Sequence, residues 1–201
     1  MTVGKTTRLE AVNTLLETIG LAPINTLTGT KTADVIKAEN VLDEVSREVQ
    51  TMGWYFNTEE EYPLARNNNN EIEVPPNIMW MDFEPRGFTK IDPVIRGDRL
   101  YDKANRTYKF DENIEATVII ALDFNELPET ARRYVTIRAA RIFGDRMVGE
   151  QALHGFTRTD EQRAWINFKD WQGETADRSI FDSPDMAEYK LRGRFIPRGI
   201  T

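Results

Sequence analysis

The sequence has no cysteine, a single histidine and no long apolar run. Without thiols there is no disulfide framework, no thiolate metal site and no cysteine nucleophile. With His154 alone, no zinc motif built on a pair of histidines can form, and one conventional imidazole base remains. His154 stands between Leu153 and Gly155 with no marked nucleophile beside it, and Ser46, Ser179 and Ser183 lack the turn context of an activated serine. No stretch approaches the roughly eighteen apolar residues that cross a bilayer, and the first residues lack the apolar segment of a secretion signal, so the chain is expected to stay in the cytoplasm where it is made. The GKT of residues 4–6 lacks the upstream glycine and the preceding strand of a phosphate-binding loop.

Basic charge is also in the minority, with 26 Lys and Arg against 33 Asp and Glu and a net charge of −7. The imbalance sits in the middle: residues 54–127 carry −7, while residues 128–201 carry +2. An acidic middle disfavours general nucleic-acid binding, which depends on neutralising phosphates. It leaves open the lining of a path along which DNA slides.

What is present is ample material for a core: 40% hydrophobic residues, including 4 Trp, 6 Tyr and 10 Phe. Leu9, Val12, Leu16 and Ile19 follow helical spacing, and Gly20 and Pro23 supply a stop, predicting a helix over about 7–19. Ala38, Val41 or Leu42, Val45, Val49 and Met52 repeat the pattern up to Gly53, and the short connection predicts an antiparallel pair.

From Trp54 the texture turns to short β-forming runs, among them EYPL, NIMWMDF, RLYDK and EATVIIAL. The last is the most apolar and is expected at the centre of a sheet. RGD at 96–98 reads as a turn, LYDKANRTYKF as a hairpin, and residues 65–77, with four Asn and Pro75-Pro76, as an exposed loop. Helical texture returns at Pro128, with Ala131, Val135, Ala139, Ile142 and Phe143 along one side. Thr159 and Gln162 read as a capping box for a fourth helix carrying Ala164, Trp165, Phe168 and Trp171 and ending near residue 176; the alternative is an earlier start near Gly149 with an interruption at Gly155.

The expected fold is therefore α+β: an antiparallel bundle of about four helices from residues 1–53 and 127–176, an inserted, mainly antiparallel β domain at 54–126, and an extended tail at 177–201. Gly53, Trp54 and Phe56 mark the joint, with the aromatics anchoring the insert against the bundle.

EAVNTLLETIGLAPINTLTG, ADVIKAENVLDEVSREVQTMGWYFNTEE, LYDKANRTYKFD and FNELPETARRYVTIRAARIFGDRMVG, in that order over about residues 8–150, resemble the tail tubular protein A family of short-tailed bacteriophages. The joint GWYFNTEE and the LPE start of the third helix are the most specific pieces. The resemblance implies a structural virion protein without cofactor or catalytic residue: a dodecameric adaptor ring between the portal and the tail nozzle (tubular protein B), through which double-stranded DNA passes without sequence specificity. The tail fibre is a further partner in that setting.

For such a ring, Arg132, Arg133, Arg138, Arg141 and Arg146 on the third helix are candidates for pairing between subunits. The basic tail with Lys190, Arg192, Arg194 and Arg198 is the candidate for docking on the portal. An alternative reading starts from the acids beside the aromatics. A glycan hydrolase needs two carboxyl groups about 5–10 Å apart, and Glu59, Glu61 and Asp82 are the candidates, Glu59 and Glu61 sharing a face if the strand alternates regularly.

Overall fold

The computed structural model describes residues 4–83, 91–148 and 158–175. Helix α1 (Arg8–Thr18) opens on Thr7, whose hydroxyl accepts from the Glu10 N–H while the Glu10 carboxylate accepts from the Thr7 N–H at 2.7 Å. This reciprocal cap satisfies two otherwise orphaned donors. The Thr7 contacts hold the Glu10 carboxyl below the usual carboxylate range. Helix α2 (Ala33–Gln50) starts behind Thr32, whose hydroxyl caps the Val35 N–H.

Helix α3 (Glu129–Val148) packs against α1, α2 and α4 (Arg158–Thr175), so it is buried on several sides. Its small residues Ala131, Ala139 and Ala140, all fully buried, let the neighbours approach. The core of the bundle joins Val12, Leu15 and Leu16 of α1 and Leu42, Val45 and Val49 of α2 to Val135 and Phe143 of α3 and Phe168 of α4. Each buried aliphatic side chain contributes about 1.5–3 kcal/mol. At the start of α4 the sequence reading is corrected: Thr159 lies inside the helix, whose described part already includes Arg158. The break expected at Gly155 lies outside the described residues.

Between α2 and α3 the chain forms five strands. A three-stranded antiparallel sheet has the order β1-β5-β2, with β1 at Thr58–Leu64, β2 at Ile78–Asp82 and β5 at Ile114–Ile120. The apolar run of β5 is central, as its composition predicts. Strands β3 (Pro93–Arg96) and β4 (Arg99–Asp102) form a hairpin that turns at Gly97 and Asp98, with Gly97 at φ +66°. Residues 100–110 are thus less regular than the predicted hairpin, held by an isolated Asp102–Thr107 bridge.

Leu100 of β4 shares a second hydrophobic cluster with Leu64, Ile72, Phe110, Ile114, Ala116 and Val118. The hairpin therefore covers one face of the sheet. Ile72 is fully buried, which corrects the exposed loop expected at 65–77: the Asn-rich turn is short, and the chain dives back into the core immediately after it. A 3-10 turn (Phe124–Glu126) then leads into α3.

Candidate functional site

The place where the insert leaves and re-enters the bundle is built from buried amides. Gln50, 2% exposed at the end of α2, accepts from the Leu122 N–H at 2.7 Å through Oε1. Its Nε2 donates to the Leu122 carbonyl and to Ser46 Oγ, each at 3.0 Å. Asn57, equally buried, accepts from the Trp54 N–H and donates to the carbonyls of Gln50 and Ile120. The main chains of Asn57 and Ile120 also bond directly, at 2.8 Å. Outgoing and returning chains are thus stitched together by side chains that imitate main chain.

Gly53 makes the approach possible. Its φ of +72° suits glycine, and a Cβ there would lie 2.8 Å from Ile119 Cδ1. Trp54 is buried, donating through Nε1 to the Val49 carbonyl at 2.6 Å, and its ring lies 4.4 Å from that of Phe168 and 5.6 Å from that of Trp165. Phe56 lies between Phe168 and Trp171 at 6.3 and 6.5 Å. The sequence-predicted joint residues therefore meet α4. Gln50 and Asn57, which fix the geometry, were missed: the available signal was a polar residue at a buried helical position and an amide three residues after Trp54.

The arginines of α3, the candidates for pairing between subunits, are directed mainly into their own chain. Arg132 is 5% exposed and donates to the carbonyls of Leu127, Thr6 and Asn125. Arg138 reaches both Glu161 on α4 and Glu48 on α2, at 2.7 and 2.6 Å. Arg141 pairs with the same Glu161 and with Asp145. Arg146 grips Glu44 through both terminal nitrogens, and this contact holds the Glu44 carboxyl below its ordinary range. Three helices are clamped by ion pairs the periodic pattern could not assign, because the partners are distant in sequence. Arg133 also has an interaction partner.

Beside the joint, Trp54, Tyr55, Glu60, Trp80, Lys169 and Gln172 line a cleft of about 730 Å³ between the sheet and α4. Tyr55 and Trp80 expose much of their rings there. The cleft is not lined by Glu59, Glu61 or Asp82. Strand β1 carries a bulge between Glu59 and Tyr62, with Glu61 at φ +54°, so Glu60 and Glu61 together oppose Thr117. That extra residue breaks the alternation on which a shared Glu59–Glu61 face depended. Glu60 is the one carboxylate lining the cleft among the described residues, whereas general acid and base chemistry on a glycoside takes two. Asp82 sits on β2, opposite Thr117, and accepts from the Phe83 N–H.

Among the described residues no group of three or more His, Asp or Glu could hold a metal ion, and no helix is long and apolar enough to cross a membrane. His154 and the basic residues Lys190, Arg192, Arg194 and Arg198 lie outside the described residues.

A family model described as tail tubular protein matches residues 9–178. Tail tubular protein A of Klebsiella phage KP34 is 26% identical over 127 residues, an alignment covering 63% of this chain and 66% of that protein. The similarity thus spans just under two thirds of the relative's length.

Proposed function

The chain belongs to the tail tubular protein family, a structural component of the phage tail, and from that premise we propose that it forms an adaptor ring joining the portal to the tail nozzle and enclosing part of the DNA ejection channel. The observation that supports this reading most is the amide-stitched joint. It fixes the β insert rigidly to one end of the bundle, so that two distant surfaces keep a constant relation.

One of those surfaces is the end of the bundle remote from the joint, where α2 begins and α3 ends. Ile36 and Val148 are 47% and 55% exposed there, and Lys37 Nζ lies 3.9 Å from Met147 Sδ. The other is the acidic insert. A connector needs two such surfaces, one for each neighbour in the tail, together with lateral contacts that close a ring; a dodecamer is the number the family resemblance implies. The basic tail is assigned to the portal.

The test is to combine the purified chain with portal protein and then nozzle protein, following assembly by light scattering and imaging the product. Rings bound to portal are the expected result. Failure to bind either protein under any condition overturns the reading. Cutting after Asp185 separates the tail's part: undiminished portal binding removes the tail from the docking surface.

A further inference from the structure

The two outward faces of the β insert carry opposite character. The strands of the three-stranded sheet contain no Lys or Arg and five acids, of which Glu60, Asp82 and Glu115 lie on the side away from the second core, while Glu59 opposes Val118 and Glu61 falls in the bulge. None of the five has an ion-pair partner among the described residues. Because Ala116 and Val118 point into the second core, Glu115, Thr117 and Ile119 point to the other face by strand alternation, where Glu115 is exposed and Ile119 is buried beside Gly53 at the joint. Their partners Pro63, Asp82 and Trp80 share that face, and Glu60 adjoins it in the cleft. This is an acidic surface with an exposed indole at its edge.

The hairpin forms the opposite side of the same two-layer unit, since Leu100 points to the shared core. Its outward side is cationic and aromatic. The Arg96 guanidinium lies 3.7 Å from the centre of the Tyr101 ring, Tyr101 meets Tyr108 edge to face at 4.9 Å, and Arg99 lies 4.8 Å from the Tyr108 ring centre. Arg96, and Arg106 in the adjoining turn, have no ion-pair partner among the described residues, whereas Arg99 is held by Glu71 at 2.9 Å. Stacking on tyrosine holds Arg96 extended across the surface, so little side-chain entropy remains to be lost on docking.

We propose that the acidic sheet face of one copy docks against the Arg–Tyr hairpin face of the next, head to tail around the ring. The inference rests on the ring reading and specifies its lateral contact. A cyclic assembly requires two different, mutually complementary patches on each subunit, and opposite sides of one rigid layer pair supply them. Arginine, tyrosine and tryptophan are also the side chains that most often dominate the energetics of protein interfaces.

The test uses two full-length variants in the presence of portal protein. Glu60→Lys with Glu115→Lys leaves Asp82 against two lysines on the sheet face, so that both faces are net basic, and Arg96→Glu with Arg106→Glu makes both acidic. All four positions are exposed or lie at the rim of the cleft, so unchanged thermal melting is the control for folding. Each variant alone is expected to assemble at least about tenfold more weakly than wild type, and wild-type assembly to weaken with salt. An equimolar mixture is expected to assemble again, because the two variants then alternate.

If either variant alone assembles like wild type, or the mixture does not recover, the face pairing is wrong while the ring stands on wild-type behaviour. A hairpin variant that assembles normally but loses affinity for duplex DNA assigns that face to DNA and overturns the pairing. If wild type and mixture both stay monomeric with portal present, the ring reading falls with it.

Discussion

Replacing Gln50 by Leu removes an amide from the joint while keeping a side chain of similar bulk. The Leu122 N–H loses its acceptor at 2.7 Å, and the Leu122 carbonyl loses its donor at 3.0 Å. An orphaned buried main-chain group costs about 1–3 kcal/mol, so two cost about 4 kcal/mol. Gln50 and Leu122 line a second cleft, on the side of Arg8, Asp43 and Asp123, which lets water recover part of that cost. The greater apolarity of leucine returns about another 1 kcal/mol. A net loss of about 2–3 kcal/mol remains. With a urea dependence of about 2 kcal/mol per molar, the unfolding midpoint falls by about 1–1.5 M. The assay is urea unfolding followed by tryptophan fluorescence, with hydrogen exchange at the Leu122 amide as a local readout. A midpoint within about 0.3 M of wild type together with unchanged exchange at Leu122 refutes the assignment of the joint to this amide.

Two glycines with positive φ separate backbone strain from crowding. Gly97→Ala, in open space, is expected to cost about 1 kcal/mol, and Gly53→Ala, which also meets Ile119 Cδ1 at 2.8 Å, about 2–3 kcal/mol; equal losses in thermal melting contradict this. Burial works against the charged form of Asp102, but the N–H groups of Asp92 and Ala104 and the Asn105 side chain outweigh it and hold its carboxyl below the ordinary range. Its stabilisation is therefore full above the usual aspartate value of about 3.9 and is lost as pH falls through the lower folded value. Asp102→Asn should be less stable at neutral pH by about 1–2 kcal/mol and flatter in acid, as measured by denaturation at several pH values; parallel curves for the two proteins exclude this role.

Helices α1 and α2 were legible because each buries one periodic stripe, and α3 because its predicted stripe is part of a surface buried on several sides; Leu16, Leu42 and Phe143 fall where the spacing puts them. The central place of β5 was legible for a related reason: an apolar run covered on both sides lacks the polar alternation of an edge. Local motifs were less decisive. Thr7 with Glu10 and Thr159 with Gln162 have the same spacing, yet the first is a cap and the second lies within a helix. The bulge at Glu61 was invisible, since any of three consecutive glutamates could absorb the extra residue, and its position decides which carboxylate reaches the cleft. The arginine clamps were hidden by distance along the chain: Arg138 and Glu48 are 90 residues apart, and only the packing of three helices brings them together.

The polar character of the joint follows from what a connector must specify. Apolar burial is non-directional, so Trp54, Phe56 and the aromatics of α4 can hold insert and bundle together without fixing their relative rotation. An amide offers one donor edge and one acceptor edge, and Gln50 is satisfied only when Leu122 presents both its N–H and its carbonyl. A shift of the returning chain by one residue turns those groups away and leaves the buried amide with Ser46 Oγ alone and its acceptor edge unmatched. Asn57 applies the same condition to Ile120 two residues earlier. Two amides acting on Ile120, the last residue of β5, and on Leu122 just beyond it accept one register and reject its neighbours. The aromatic cluster contributes the strength of the joint and the amides its angle.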